Sequence, residues 1–230
     1  VCLGHRGQWS AQIETKGRIA HGSMPFLGDC AVRHMGAVLD AFEKELFPKL
    51  ASKFTCMPVV PEGAKQSTMN INSIHGGEEE HHEGLPAHCV PDSCRIVVDR
   101  RYLIEENKDE VRAEVTDILD RLTQSRDGFS YAVSEINHIF PNMTEQDAPV
   151  PQAVKSSVEE VLGVTPDWVI SPGSYDQKHI SRLGHLQDCV AYGPGILDLA
   201  HQPDEYIDIK DMIDSAKVMG LALHRLLNAN

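Results

Sequence analysis

Between residues 8 and 140 the hydrophobic period switches from two to 3.6 and back in a fixed order, and that order leaves few folds open. Trp9, Ala11 and Ile13 alternate with Ser10, Gln12 and Glu14, the pattern of a strand with one face buried. Met35, Val38, Leu39, Phe42 and Leu46 then recur at helical spacing up to Pro48. This predicts an amphipathic helix over roughly residues 30–47, with Asp29 placed to cap it and Pro48 to stop it. After a Pro-, Gly- and Lys-rich loop from Pro58 to Gln66, a strand is expected from Thr68 to Ile74, where Met69, Ile71 and Ser73 alternate with Asn70, Asn72 and Ile74. Ile96 and Val98 alternate with Arg95, Val97 and Asp99 in a third strand, Cys94 to Tyr102. Asn107, three residues ahead of Glu110, opens a second helix with Val111, Val115, Ile118, Leu119 and Leu122 on one face, a capping-box-like start. Tyr131, Val133 and Ile136 give the fourth strand. Strand, helix, strand, strand, helix, strand is the order of a ferredoxin-like α+β sandwich of two layers.

After Pro141 the pattern becomes α/β. It predicts a helix from Gln152 to Leu162, a strand from Trp168 to Ser171, a helix after Asp176, a strand from Leu186 to Ala191 and a long helix from Ile209 to Leu227. Such alternation argues for a mostly parallel sheet, incomplete with so few strands. The chain therefore divides into residues 1–7, where Val1-Cys2-Leu3 reads as a strand in mid-course and the segment as the end of a preceding portion, residues 8–140, and residues 141–230.

Charge and composition exclude several function classes. The formal charge of -13, from 34 acidic against 21 basic residues, offers no footprint for a nucleic-acid backbone. No apolar run approaches the roughly 18 residues that span a bilayer, and Val1-Cys2-Leu3-Gly4 lacks the regions of a signal peptide. A soluble, cytoplasmic protein is the expectation. The six cysteines are scattered without a CxxC pair, so free thiols are expected. A thiol hydrolase using Cys89 or Cys189 would lack any nucleophile motif.

Two stretches break all periodicity. Gly76-Gly77-Glu78-Glu79-Glu80-His81-His82-Glu83-Gly84 reads as an exposed loop, either a solvated charge run or an acid and histidine cluster able to hold a metal. In the second, His201 sits between the turn Gly193-Pro194-Gly195 and the acidic turn Pro203-Asp204-Glu205. An imidazole ligates a metal well when an acceptor orients its other nitrogen, and Asp198, Asp204 and Glu205 are near in sequence.

Gly-Pro-Gly followed by Ala200-His201-Gln202-Pro203-Asp204-Glu205-Tyr206 resembles the C-terminal metal-ligand segment of the M20 metallopeptidase family, in the branch of acetylornithine deacetylases and succinyl-diaminopimelate desuccinylases. Four other stretches match in order: Gly4-His5-Arg6-Gly7; Lys16-Gly17-Arg18-Ile19-Ala20-His21; Val90-Pro91-Asp92 leading to Asp99-Arg100-Arg101-Tyr102; and Ser171-Pro172-Gly173-Ser174-Tyr175-Asp176. The resemblance implies a lid, or dimerisation, domain over residues 8–140 and the C-terminal part of a zinc-peptidase-like catalytic domain over 141–230. It implies an amidohydrolase that uses two divalent metal ions, zinc with cobalt or manganese as alternatives, on a small carboxylate-bearing substrate, and a homodimer formed through the lid.

By the same resemblance His201 is the one metal ligand in this chain. The family's other ligands and its catalytic glutamate belong to an N-terminal region expected to precede it. His21 corresponds to the histidine that crosses to the partner's site and stabilises the oxyanion, and Arg101 to the arginine that takes the substrate carboxylate. Gly173 and Ser174 resemble a substrate-contacting loop, with Lys178 where an arginine is common and His88 where an asparagine is usual. A non-catalytic dimerisation or binding module, or an inactive fragment of such an enzyme, is the alternative reading.

Overall fold

The computed structural model describes residues 1–59, 61–77, 88–196, 199–200 and 202–228. The chain forms two compact units, one of Gly7–Thr55 and Gln66–Phe140, the other of Val1–Arg6, Cys56–Lys65 and Pro141–Asn230.

The first unit is the expected two-layer sandwich. Its elements are β2 (Gly7–Lys16), α1 (Ala31–Ala41), α2 (Phe47–Ala51), β3 (Thr68–Gly76), β4 (Ser93–Tyr102), α3 (Lys108–Ser125) and β5 (Ser130–Ile139); a strand β1 (Cys2–His5) precedes them in the other unit. The sheet runs β3-β4-β2-β5 and every pairing is antiparallel. In sequence order this is 4-1-3-2 read from the β5 edge, the ferredoxin-like topology. β2 and β4 pair without a slip from Gly7 opposite Tyr102 to Lys16 opposite Ser93. Trp9, Ala11 and Ile13 therefore share a face with Ile96, Val98 and Tyr102. That face packs on Met35, Val38 and Phe42 of the first helical arm and on Val111, Val115 and Leu119 of α3, all buried. Each large side chain so buried contributes about 1.5–3 kcal/mol before the entropy of ordering it.

Two sequence expectations are corrected here. Pro48 does not end the first helix. A π-helical turn over Phe42–Leu46 leads into α2, which carries Pro48 in its first turn, where the missing N–H costs nothing. Asp29 does not cap α1 either: Cys30 is the N-cap and makes no side-chain cap bond, while Asp29 Oδ1 lies 2.9 Å from His34 Nε2. Asn107 does cap α3, accepting the N–H of Asp109 at 2.8 Å.

The sandwich buries charge as well as hydrocarbon. Arg100, on the covered face of β4, is wholly buried. Its Nη2 donates to Glu106 at 2.7 Å and to Glu114 at 3.2 Å. Lys53 bridges the same two carboxylates at 2.7 and 2.5 Å, and Ser67 donates to Glu106. Burial pushes both carboxyls up. For Glu106 the Arg100 charge and then bonds from Lys53, Ser67 and the Leu103 amide more than offset that; for Glu114 the Lys53 bond and then Arg100 do so. Both titrate below the ordinary 4.5.

The second unit holds β1, β6 (Asn142–Met143), α4 (Pro149–Leu162), β7 (Val169–Ser171), α5 (Gln177–Arg182) and α6 (Ile209–Leu227). Its sheet runs β6-β1-β7, parallel between β1 and β7 but antiparallel between β1 and β6, so the expected mostly parallel sheet is in fact mixed. Residues 186–190 form no strand, and Ala191 makes only an isolated bridge to Cys2. The reason is visible in the hydrogen bonds. The Thr144 hydroxyl donates between the carbonyls of Gln187 and Cys189, at 2.8 and 2.6 Å, and Gln177 Nε2 also donates to Cys189 O at 2.5 Å, so side chains do what a neighbouring strand would. The loop after Cys56 belongs to this unit: Ile170 donates to Pro58 O at 2.8 Å, and Val59 packs with Leu3 and Ile170. Val154 and Val158 of α4 meet Val218 and Ala222 of α6 in a separate small core. No helix among the described residues is long and apolar enough to cross a membrane.

Arg100→Met is expected to cost on the order of 3 kcal/mol, because it takes the buried guanidinium away from two largely buried carboxylates and leaves Lys53 to serve both. In the wild type both glutamates have folded pKa values below their unfolded ones, so their stabilisation is complete above about pH 4.5 and is lost as pH falls through the lowered folded values. Urea unfolding from pH 7 to pH 3 should show that loss, and Arg100→Met should flatten it; equal acid slopes in the two proteins would contradict the assignment.

Candidate functional site

The loop that follows β2 carries His21, and the structure places it against His88. Gly22 N–H donates to His88 O at 2.6 Å and Val90 N–H to Ala20 O at 2.8 Å, so backbone pairing joins the two exposed histidine segments. The His21 ring is not freely rotating. Its Nδ1 accepts the backbone N–H of Ser23 at 3.2 Å and lies 2.8 Å from Ser23 Oγ. A nitrogen that accepts an amide N–H has no proton of its own, so in the neutral ring the proton sits on Nε2. His21 thus presents an outward N–H donor on a fixed ring.

The Asp99-Arg100-Arg101-Tyr102 motif is split by the pleat. Arg100 goes into the core, while Arg101 projects from the opposite face, about a third exposed, with Nε 2.7 Å and Nη2 3.0 Å from the two oxygens of Asp99. Tyr102 explains a glycine of another motif. A Cβ at Gly7 would lie 2.3 Å from the Tyr102 ring, and one at Gly4 would lie 2.0 Å from Asn142 O, so both glycines are required by close approach.

In the second unit Gly173 and Ser174 lie in the turn between β7 and α5, with Gly173 N–H donating to Ser171 Oγ at 3.2 Å. Lys178, in the first turn of α5, folds back to Tyr175 O at 3.2 Å and stands 4.0 Å from Asp176. His201 and Asp198 lie outside the described residues, as does the acid and histidine stretch 78–87. The neighbouring turns are described: Gly195 has φ +123° and Asp204 φ +63°, backbone that favours glycine at the first and is tolerated by aspartate at the second. Among the described residues no three His, Cys, Asp or Glu side chains group to hold a metal, so these residues alone do not build a metal centre. The six cysteines are free thiols. Burial, then the charge of Asp188, pushes the Cys189 thiol up, opposite to what a nucleophile needs.

Sequence reasoning quoted His5 only as part of a motif, yet it ends the central strand of the mixed sheet, level with Ser171 of β7. Ligands of α/β folds collect at such carboxyl ends. His5 is fully buried and packs edge-on to Tyr175, with ring centroids 5.1 Å apart. Its Nδ1 lies 2.9 Å from Arg6 O. A carbonyl can only accept, so Nδ1 carries the proton and Nε2 is left as a buried lone pair with no hydrogen-bond partner among the described residues. Burial lowers the ring's pKa below the ordinary 6.5; the Arg6 bond opposes this and the Lys178 charge adds to it.

Residues 3–127 match the sequence profile of the M20 peptidase dimerisation domain. The chain belongs to the M20 family. Among curated relatives it is 24% identical to an acetylornithine deacetylase of Myxococcus xanthus, an alignment that covers 95% of this chain and 53% of that protein. It is 22% identical to a succinyl-diaminopimelate desuccinylase of Hydrogenovibrio crunogenus, over 97% of this chain and 53% of that one. The fold superposes on a tripeptidase from Staphylococcus aureus with a TM-score of 0.70 at 18% identity, covering 100% of this chain and 54% of the other. A metallo-carboxypeptidase of the family from Sulfolobus solfataricus superposes with a TM-score of 0.69 at 17% identity, over 96% and 58% of the two chains. This M20 chain spans about half the length of the curated relatives it matches.

The environment of His5 predicts a neutral Nδ1–H ring at pH 7 whose titration is displaced below 6.5. Nitrogen-detected NMR of labelled histidine should show that tautomer; an Nε2–H ring, or a midpoint at or above 6.5, would contradict it.

Proposed function

We propose that this chain supplies the dimerisation lid and the C-terminal part of the catalytic domain of an M20 amidohydrolase, one that cleaves the amide bond of a small carboxylate-bearing substrate. The observation that carries the reading is the fixed tautomer of His21. An outward Nε2–H on a ring locked by Ser23 is a ready donor to an oxyanion, and donors held in place before the reaction stabilise developing charge without reorganising. Arg101 takes the substrate carboxylate, because a guanidinium fork matches its two oxygens. Gly173, Ser174 and Lys178 contact the substrate from the loop after β7, and His88, paired to the His21 segment, tunes which substrate fits. Two divalent metal ions, zinc with cobalt or manganese as alternatives, belong to the same reading, with His201 as the ligand this chain contributes.

The assembly in this reading is a homodimer, formed laterally through the edge of the lid sheet or through α1. β3 is an edge strand of nine residues that carries exposed Ile74, and Val32 on α1 is exposed as well. Unpaired edges with apolar side chains are surfaces that proteins cover. The dimer gives His21 its task, since its ring then serves the partner's site.

The test is complementation. His21→Ala should lower kcat by about 10²–10³, the usual cost of one oxyanion donor, and His201→Ala should lower metal content and abolish hydrolysis with an unchanged circular dichroism spectrum. Mixed after dissociation and reassembly, the two variants should regain activity, because one site of the mixed dimer keeps both histidines. Light scattering should give twice the chain mass. A monomeric active enzyme, or no recovery on mixing, would overturn the in-trans role, and unchanged metal content in His201→Ala would overturn the ligand.

A further inference from the structure

We infer that Asp99, itself fixed by Gln8, is a positioning residue that aims Arg101 at the substrate; this rests on the reading of Arg101 as the carboxylate site. β4 puts Asp99 and Arg101 two residues apart on one face, so their side chains stand side by side. Asp99 accepts from Nε at 2.7 Å and from Nη2 at 3.0 Å, which is the lateral edge of the guanidinium. The other edge, Nη1 with the second hydrogen of Nη2, has no partner among the described residues and remains able to grip a second carboxylate. Asp99 does not move to allow this, because Gln8 Nε2 donates to its Oδ2 at 2.8 Å and to Ser10 Oγ at 3.1 Å, on the strand paired to β4. Gln8, Asp99 and Arg101 form a line across the open face of the sheet, opposite the buried Arg100 cluster. A fork held at one edge presents the other in a single direction, so a carboxylate loses less entropy in binding to it.

Two effects of Asp99 have opposite signs, and that makes the inference decidable. By Coulomb's law alone, removing a carboxylate beside an anion site tightens anion binding. If Asp99 positions the fork, removing it weakens binding in spite of the charge. The measurement compares N-acetyl-L-alanine with N-acetyl-L-alaninamide as paired substrates of the metal-loaded dimer. Asp99→Ala should raise KM for the acid by roughly tenfold, the scale of one charge-assisted hydrogen bond, leaving kcat and the amide's constants near wild type. Asp99→Asn, which keeps one acceptor, should fall between. On an Arg101→Ala background Asp99→Ala should add nothing further. Slow solvent exchange of the Arg101 Nε–H, seen by NMR in wild type, should be lost in Asp99→Ala.

If Asp99→Ala lowers KM for the acid, Asp99 is a competing anion and the inference falls while the Arg101 reading stands. If Arg101→Ala does not discriminate acid from amide, both fall, and the Nε–H exchange then reports only a structural pair.

Discussion

The burial of Arg100 is the constraint around which the lid is built. A guanidinium with no solvent exposure is tolerable only where carboxylates compensate it; Glu106 and Glu114 do so, and Lys53 balances the second negative charge they bring, so three different segments meet. The cluster therefore ties the end of β4 to the turn before α3, to α3 itself and to the end of the first helical arm. It also fixes the register. A one-residue slip of β4 would carry Arg100 to the open face and Arg101 into the core, breaking the buried cluster and exposing Ile96 and Val98 together. The same parity that buries one arginine presents the other, so the buried cluster and the Asp99–Arg101 pair on the open face are set by a single pleat.

This was only half legible in the sequence. Period-two alternation of Ile96 and Val98 located the strand and its inner face, and taken strictly that alternation already put residue 100 inside. A pair of adjacent arginines nonetheless reads as surface charge, because nothing local announces that Glu106, Glu114 and Lys53 will converge on one of them. The topology of the lid was readable because each strand has one wet face and each helix one apolar stripe. The first helical arm was misjudged at Pro48 because a π-helical turn, which leaves no mark in hydrophobic spacing, shifts the hydrogen-bond ladder ahead of it.

The second unit was less legible for a physical reason. Its strands are two to four residues long, too short to display a period. Much of its backbone is satisfied by side chains, with Thr144 and Gln177 serving carbonyls that a strand pattern would assign to a ladder. The apolar run up to Ala191 therefore looked like a strand and is an irregular segment. The Gly-Pro-Gly turn and the acidic turn after it were readable as special backbone, and Gly195 and Asp204 do adopt positive φ. The geometry of His201 between them lies outside the described residues.

Three histidines show how the same side chain is given different chemistry by one neighbour. Beside His5 a carbonyl forces the proton onto Nδ1 and leaves Nε2 a buried lone pair. Beside His34 the guanidinium of Arg126 donates to Nδ1 at 2.8 Å, which moves the proton to Nε2, 2.9 Å from Asp29 Oδ1 but off the hydrogen-bonding line. Beside His21 an amide N–H does the same job as that guanidinium. Two of these rings are buried, so their fixed tautomers serve the interior: one is an acceptor without a donor among the described residues, the other a link between α1 and the end of α3. His21 alone of the three is exposed, and the Ser23 amide that holds its Nδ1 leaves Nε2 as the nitrogen that carries the proton in the neutral ring. A donor costs little to aim when the backbone has already aimed it, which is the property that the proposed oxyanion role of His21 draws on.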